Sequence, residues 1–284
     1  MDLCDIREIR ALLERHGFRF SKAKGQNFLI AGWVPREIAD SAGLDAQTGV
    51  LEIGPGIGPL TKELCGRAGK VVAVELDASL QPVLAETMAG CENLEILFRD
   101  ILKTDVAQLV RESFPGLRPV ACANLPYYIT TPVLAALLES RSFEAVTVMV
   151  QKEVAERICS PAGKPAYGAF SVFCRYYAEP ELLFEVPASC FTPQPKVTSA
   201  VLRLNVRGGP PCEILDEQTF FRTVRASFSQ RRKTLLNGLS AGFGELSKER
   251  LAALLVSCGL DPAVRGETLD IAGFARVANA IYQA

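Results

Sequence analysis

Histidine and tryptophan are nearly missing from this 284-residue chain, where His16 and Trp33 each stand alone. One histidine leaves little material for a zinc site or for catalysis built on imidazole proton transfer, so no metal is expected. His16 ends an amphipathic pattern just before Gly17, the place of an ordinary helix-end residue. An excess of either charge is also lacking. With 31 Lys+Arg against 32 Asp+Glu there is no uniformly basic coat, and a polyanionic partner has to be held by a local patch. The nine cysteines are odd in number and never in C-x-x-C spacing, the pattern of reduced, mostly buried thiols in a cytoplasmic protein. No apolar run is long enough to cross a bilayer, and the charges from Asp2 to Arg15 exclude a secretory leader, so no membrane partner is expected.

What is present has a clear order. Asp5 followed by Glu8 has the spacing of a helix cap, and Ile6, Ile9, Leu12 and Leu13 mark one helical face. From Val50 the apolar runs Val50 to Ile53, Val71 to Val74, Leu94 to Phe98, Val120 to Ala123 and Ala145 to Val150 alternate with helix-length amphipathic stretches. That alternation predicts βαβ units in a parallel sheet. Runs from Glu181 to Val186 and from Val197 to Leu204 add a terminal antiparallel pair at its edge, giving seven strands. Gly208, Gly209, Pro210 and Pro211 then form the clearest linker, since neither residue type continues a helix or a central strand. The expected division is therefore 1–207, an α/β domain, and 208–284, a small domain with helical periodicity only.

Leu51-Glu52-Ile53-Gly54-Pro55-Gly56-Ile57-Gly58 follows the first run and opens a helix, where a backbone must turn tightly and approach a ligand. Its G-x-G-x-G spacing departs from the G-x-G-x-x-G of dinucleotide folds, which weakens a nicotinamide dehydrogenase reading. A glycine turn alone can be merely structural. Glu75, 21 residues after Gly54 at the end of the second run, can accept hydrogen bonds from both hydroxyls of a ribose. Asp100 follows the third run and can accept from the amino group of an adenine. Each acid could instead cap a helix, as Asp77 could; at successive strand ends they favour an adenosine pocket.

Asn124-Leu125-Pro126-Tyr127 follows the fourth run on the same sheet edge. An exocyclic amine is a poor nucleophile because its lone pair is delocalised into the ring. An Asn side-chain oxygen and a neighbouring backbone carbonyl, accepting both amine hydrogens, would pull that nitrogen toward tetrahedral geometry and aim its lone pair. Pro126 stiffens such a loop and Tyr127 offers a stacking face. An isolated N-x-P-Y can equally be an ordinary turn.

Taken in order, Lys24-Gly25-Gln26-Asn27-Phe28-Leu29, the glycine turn, Glu75, Asp100, Asn124-Leu125-Pro126-Tyr127, Gln151 to Arg157 and Phe191-Thr192-Pro193-Gln194-Pro195-Lys196-Val197 resemble the motif set of the KsgA (RsmA) family of small-subunit rRNA adenine dimethyltransferases. The likeness runs from about Arg19 to the end of the chain. It implies a Rossmann-like class I methyltransferase fold with a mostly parallel seven-stranded sheet and a small all-α C-terminal domain. S-adenosylmethionine is the implied cosubstrate, contacted by Asn27, Leu29, Gly54, Gly56, Glu75, Asp100 and Asn124. Asn124, Leu125, Pro126, Tyr127 and Phe191 become the catalytic set, with Phe191 sandwiching an extruded adenine opposite Tyr127. Without its motif, Phe191 reads as a core aromatic beside two prolines. The likeness departs at Lys24, where leucine is common, and at Tyr128, where asparagine or glutamine is common.

The implied partner is 16S rRNA in the immature small ribosomal subunit, met by a monomeric enzyme, with two adjacent adenosines in a hairpin near the 3′ end as targets. A paired base cannot reach a sheet-edge pocket, so the target lies in a loop or is flipped out. Pro187 to Leu239 carries eight basic residues (Lys196, Arg203, Arg207, Arg222, Arg225, Arg231, Arg232, Lys233) against three acidic ones, the local patch that the neutral total conceals. The family match assigns Arg225, Arg231, Arg232 and Lys233 to the domain that faces the subunit, with Lys196 as a further RNA contact; a charge run can also be just a solvated face. Alternative readings are the related methyltransferases that modify large-subunit rRNA and an assembly checkpoint that uses its catalytic site little.

Overall fold

A computed structural model describes residues 1–18, 27–230 and 232–284. Its strands, in chain order, are β1 (Phe28–Leu29), β2 (Thr48–Ile53), β3 (Lys70–Glu75), β4 (Leu94–Phe98), β5 (Arg118–Asn124), β6 (Ala145–Gln151), β7 (Ala178–Val186), β8 (Phe191–Thr192) and β9 (Ser199–Val206). The five predicted parallel strands are β2 to β6. Seven strands form one sheet in the order β4-β3-β2-β5-β6-β9-β7, while β1 and β8 make a separate antiparallel ribbon. Pairing is parallel from β4 through to β6, and β9 returns antiparallel to β6. The two predicted edge strands are neighbours there, with β9 inside β7. Every residue of β2 and all but the last of β6 are buried. Strands covered on both faces have no solvent side, which is why they read as largely apolar runs, broken here by the buried Thr48, Glu52 and Thr147.

By its contacts the chain divides into two compact units, residues 1–155 with 180–206, and residues 156–179 with 207–284. The sequence reading kept 156–179 with the α/β part. In the structure that segment packs into the helical unit. Tyr176 lies against Phe220 and Phe221 with ring centroids 5.3 and 4.9 Å apart, and the Tyr167 hydroxyl donates to the Leu269 carbonyl. Such long-range aromatic contacts leave no periodic trace in a sequence.

Within the helical unit, helices Glu217–Ser229 and Leu235–Gly242 pack against each other. A Cβ at Gly238 would stand 2.5 Å from the Ala226 carbonyl oxygen, so only glycine permits this approach. The turn between those helices carries the basic run. In the α/β unit, Asp5 caps helix Ile6–Arg15 through the Arg7 N–H, and Ile9, Leu12 and Leu13 bury against Leu80, Val83, Leu84 and Met88. His16 ends this helix as expected, with its Nε2 2.6 Å from Glu86.

Candidate active site

The sheet order reverses at β2, whose neighbours β3 and β5 are reached by connections running opposite ways. Connections that diverge from adjacent strands leave a crevice at the carboxyl ends, the usual ligand position in an open α/β sheet. Gly54 follows β2, Glu75 ends β3, Asp100 stands two residues past β4 and Asn124 ends β5. The ribbon supplies the other wall. Leu29 pairs with Phe191 and Phe28 with Thr192, and the Ile30 N–H donates to the Cys190 carbonyl at 2.8 Å, so segments remote in sequence meet over the crevice. Asn27, Leu29, Gly54, Gly56, Glu75, Asp100, Asn124, Leu125, Pro126, Tyr127 and Phe191 all line one cavity of about 1070 Å³, its open mouth included.

Gly54 and Gly56 have φ of 70° and 62°, a region that side chains disfavour. The turn is held from β3: Gly54 N–H donates to the Val74 carbonyl at 2.9 Å, and Gly56 N–H to Glu75 Oε2 at 3.2 Å. Glu75 Oε1 accepts from the Asp77 N–H at 2.8 Å. Each Glu75 oxygen therefore keeps a second acceptor position, as a ribose diol requires. Burial raises the Glu75 pKa above the ordinary carboxylate value, against the pull of the Asp77 and Gly56 N–H donors. Glu52, one strand position before Ile53, is fully buried, and burial pushes its carboxyl up to about 8, with the Glu75 carboxylate adding to the shift.

Asp100 and Asp77 do cap short turns. Asp100 Oδ1 accepts from the Leu102 N–H at 3.0 Å and Asp77 Oδ1 from the Ser79 N–H at 3.2 Å. Capping occupies one oxygen of Asp100; its Oδ2 has only a loose approach by Lys103 at 3.9 Å. The cap and the ligand readings of the sequence are thus compatible.

The Asn124–Tyr127 loop is fixed at several points. Leu125 is buried and its N–H donates to the Met149 carbonyl on β6 at 3.2 Å. The Pro126 carbonyl accepts from the Ile129 N–H at 3.1 Å, starting a turn that leads into helix Thr130–Glu139. The Tyr127 hydroxyl lies 2.7 Å from Ser199 Oγ on β9, and burial raises its pKa. Phe191 is 4% exposed and belongs to the core cluster, as a core aromatic would, and it also lines the cavity. The Asn124 carboxamide, by contrast, makes no hydrogen bond to any described residue.

Of the basic residues, Arg225, Arg232, Lys233 and Lys196 are exposed, and Arg231 lies outside the described residues. The sequence count overstates the free charge. Arg203 donates to the Ser41 carbonyl, Arg207 pairs with Glu179, and Arg222 pairs with Glu245 while lying 4.2 Å over the Phe243 ring. Asn27 is in place, but Lys24 to Gln26 fall outside the described residues. All nine cysteines are free thiols, but the expectation that they are mostly buried is corrected: three are buried (Cys122, Cys174, Cys190) and six partly exposed. Among the described residues no cluster has the make-up of a metal site, and no helix is long and apolar enough to cross a membrane. The sequence reading named neither Ser199, which holds Tyr127 and which no motif marks, nor Arg99, which lines the cavity and whose place beside Asp100 was the available signal.

The sequence profile of the family described as "Ribosomal RNA adenine dimethylase" matches residues 17–283. "Ribosomal RNA small subunit methyltransferase A" of Geobacillus thermodenitrificans is 45% identical over 99% of this chain and 97% of its own length. The protein of the same name from Shouchella clausii is also 45% identical, over 99% of this chain and 96% of its own. Among solved structures, a dimethyladenosine transferase from Plasmodium falciparum superimposes with a TM-score of 0.75 at 25% identity, over 90% of this chain and 97% of that one. The 23S rRNA methyltransferase ErmE gives 0.70 at 26% identity, over 90% and 100%.

Proposed function

This chain belongs to the ribosomal RNA adenine dimethylase family, and on that premise we propose that it dimethylates the N6 amines of two adjacent adenosines in a hairpin near the 3′ end of 16S rRNA. The enzyme acts as a monomer on the immature small subunit, with S-adenosylmethionine as cosubstrate. The observation that carries this reading is the Asn124 carboxamide, unpartnered among the described residues and lining the same cavity as the Glu75 and Asp100 carboxylates.

The cavity fits the cosubstrate by its donor set. Glu75 keeps two acceptor positions for ribose hydroxyls, Asp100 Oδ2 accepts from the adenine amine, and Gly54 and Gly56 let the backbone come close to the rest of the ligand. When bound, S-adenosylmethionine supplies an electrophilic methyl carbon on a sulfonium. The residues of this chain do the rest. The target adenine enters between Tyr127 and Phe191, and the Asn124 oxygen with a carbonyl of its loop accepts both amine hydrogens, which localises the nitrogen lone pair. No strong base is needed, since the alkylated amine is acidic enough to release its proton to water. In the helical unit, Arg225, Arg231, Arg232 and Lys233 hold phosphates, and Lys196 does so from the loop before β9.

The test is mass spectrometry of rRNA from undermethylated subunits incubated with the purified protein and S-adenosylmethionine. Dimethyladenosine in the small-subunit hairpin, absent without enzyme, is the expected result. Its appearance in large-subunit RNA instead would reassign the substrate, and no transfer at all would refute the reading.

A further inference from the structure

We propose that Tyr128 and Arg99 form a second subsite on the cavity rim that binds the nucleotide next to the target adenosine, the ring stacking on its base and the guanidinium pairing with its phosphate. The inference rests on the proposed RNA methylation and names how that site selects its neighbour. Two independent features of the rim carry it.

The first is an exposed ring. Of the exposed aromatic side chains among the described residues, Trp33, Tyr128 and Tyr282, Tyr128 alone lines the cavity. It is 57% exposed, and among the described residues it has no ring neighbour and no side-chain hydrogen bond. Its neighbour Tyr127 is held by Ser199. Successive residues of the tight turn Tyr127–Ile129 point about 120° apart, so fixing Tyr127 on the cavity wall leaves Tyr128 turned to the mouth. No described residue uses this ring. A flat apolar face beside a pocket for one base suits a second, unpaired base.

The second is a free cation. Among the described residues lining the cavity, Arg99 is the one basic residue, and the acids are Glu75, Asp77 and Asp100. It is exposed and forms no ion pair or side-chain hydrogen bond with a described residue, although its backbone N–H is fixed to the Glu75 carbonyl at 2.9 Å. The turn that follows it, Ile101–Lys103, packs against helix Thr130–Glu139, which continues from the Tyr128 turn. An anchored backbone with an unpaired guanidinium suits a phosphate oxygen, which takes it bidentately. A strand that places one base between Tyr127 and Phe191 and leaves past the Tyr128 turn carries its next nucleotide over this rim.

Two measurements test the subsite. In steady-state methylation of undermethylated small subunits, Tyr128→Ala should raise KM for the subunit about tenfold with kcat within about twofold, while Tyr128→Phe keeps the wild-type value. In binding of an RNA hairpin whose adenosine beside the target is replaced by 2-aminopurine, wild type and Tyr128→Phe should quench the fluorescence and Tyr128→Ala should not. Arg99→Gln should lower the slope of log affinity against log salt by about 0.7, one single-strand phosphate. Affinity for S-adenosylhomocysteine by calorimetry should stay at the wild-type value in all variants. Unchanged KM and unchanged quenching in Tyr128→Ala overturn the inference, as does a loss explained by weakened cofactor binding. Absence of adenine methylation by the wild type overturns the underlying reading, and this inference with it.

Discussion

The cavity at the strand ends and the basic turn of the helical unit solve different problems. In the cavity several groups are tied in place, because each sits at the end of a strand or in a turn bonded to the next strand: Glu75 by Gly56 and Asp77, Leu125 by Met149, Tyr127 by Ser199. Around the turn after Ser229, Arg225, Arg232 and Lys233 are exposed and form no ion pair among the described residues. Bond-making needs atoms held within a fraction of an ångström, whereas binding a polyanion needs only charge in the right region. Substitutions should therefore act steeply and singly in the cavity, and shallowly and additively on the turn.

The largest effect is expected at Asn124. Asn124→Ala should lower kcat for methyl transfer by about 100-fold or more, with subunit binding unchanged in a pull-down with labelled particles. A fall in binding equal to the fall in rate would erase the contrast between the two regions. Glu75→Gln comes next, with the cofactor Kd raised about 10- to 100-fold in calorimetry. Because the Glu75 pKa lies above the ordinary carboxylate value, wild-type cofactor affinity should begin to fall on acidification at a higher pH than an exposed glutamate would give. The Gln variant should lose that dependence.

On the turn, a combined Arg225→Gln, Arg232→Gln, Lys233→Gln variant should bind RNA about tenfold more weakly. Its log affinity against log salt should be shallower by about 2 to 3, and kcat at saturating RNA should stay within about twofold of wild type. A collapse of kcat would mean that this region positions the substrate as well as attracting it. The smallest effect concerns Glu52, whose folded-state pKa of about 8 exceeds its unfolded value near 4.5. The folded chain holds a proton that the unfolded chain has released, so stability is complete below about pH 4.5 and declines as pH rises through about 8. Glu52→Gln should remove that decline, seen as a gain of a few degrees in Tm at about pH 9 and little change at about pH 5.

Much of the cavity could be read in advance because its residues sit at strand ends, and strands β2 to β6 announce themselves as apolar runs. The position of Glu75, 21 residues after Gly54, already placed it across from the glycine turn. The helical unit was less legible. Residues 156–179 join it through rings such as Tyr176 against Phe220, a pairing without a local pattern. The basic count likewise could not foresee that Glu179, Glu245 and the Ser41 carbonyl engage three of the arginines. Phe191 met Leu29 only through the β1–β8 ribbon.

By itself, then, the amino-acid order determined which backbone segments become strands and turns, and with them the acids and the amide that end those strands. Alternation, glycine placement and spacing act within a few residues, so they survive in a one-dimensional text. Which cations remain unpaired, which of two successive tyrosines faces outward and which remote segment closes over the crevice were decided by packing. Those properties depend on neighbours brought together only when the chain folds, and no short-range pattern encodes them.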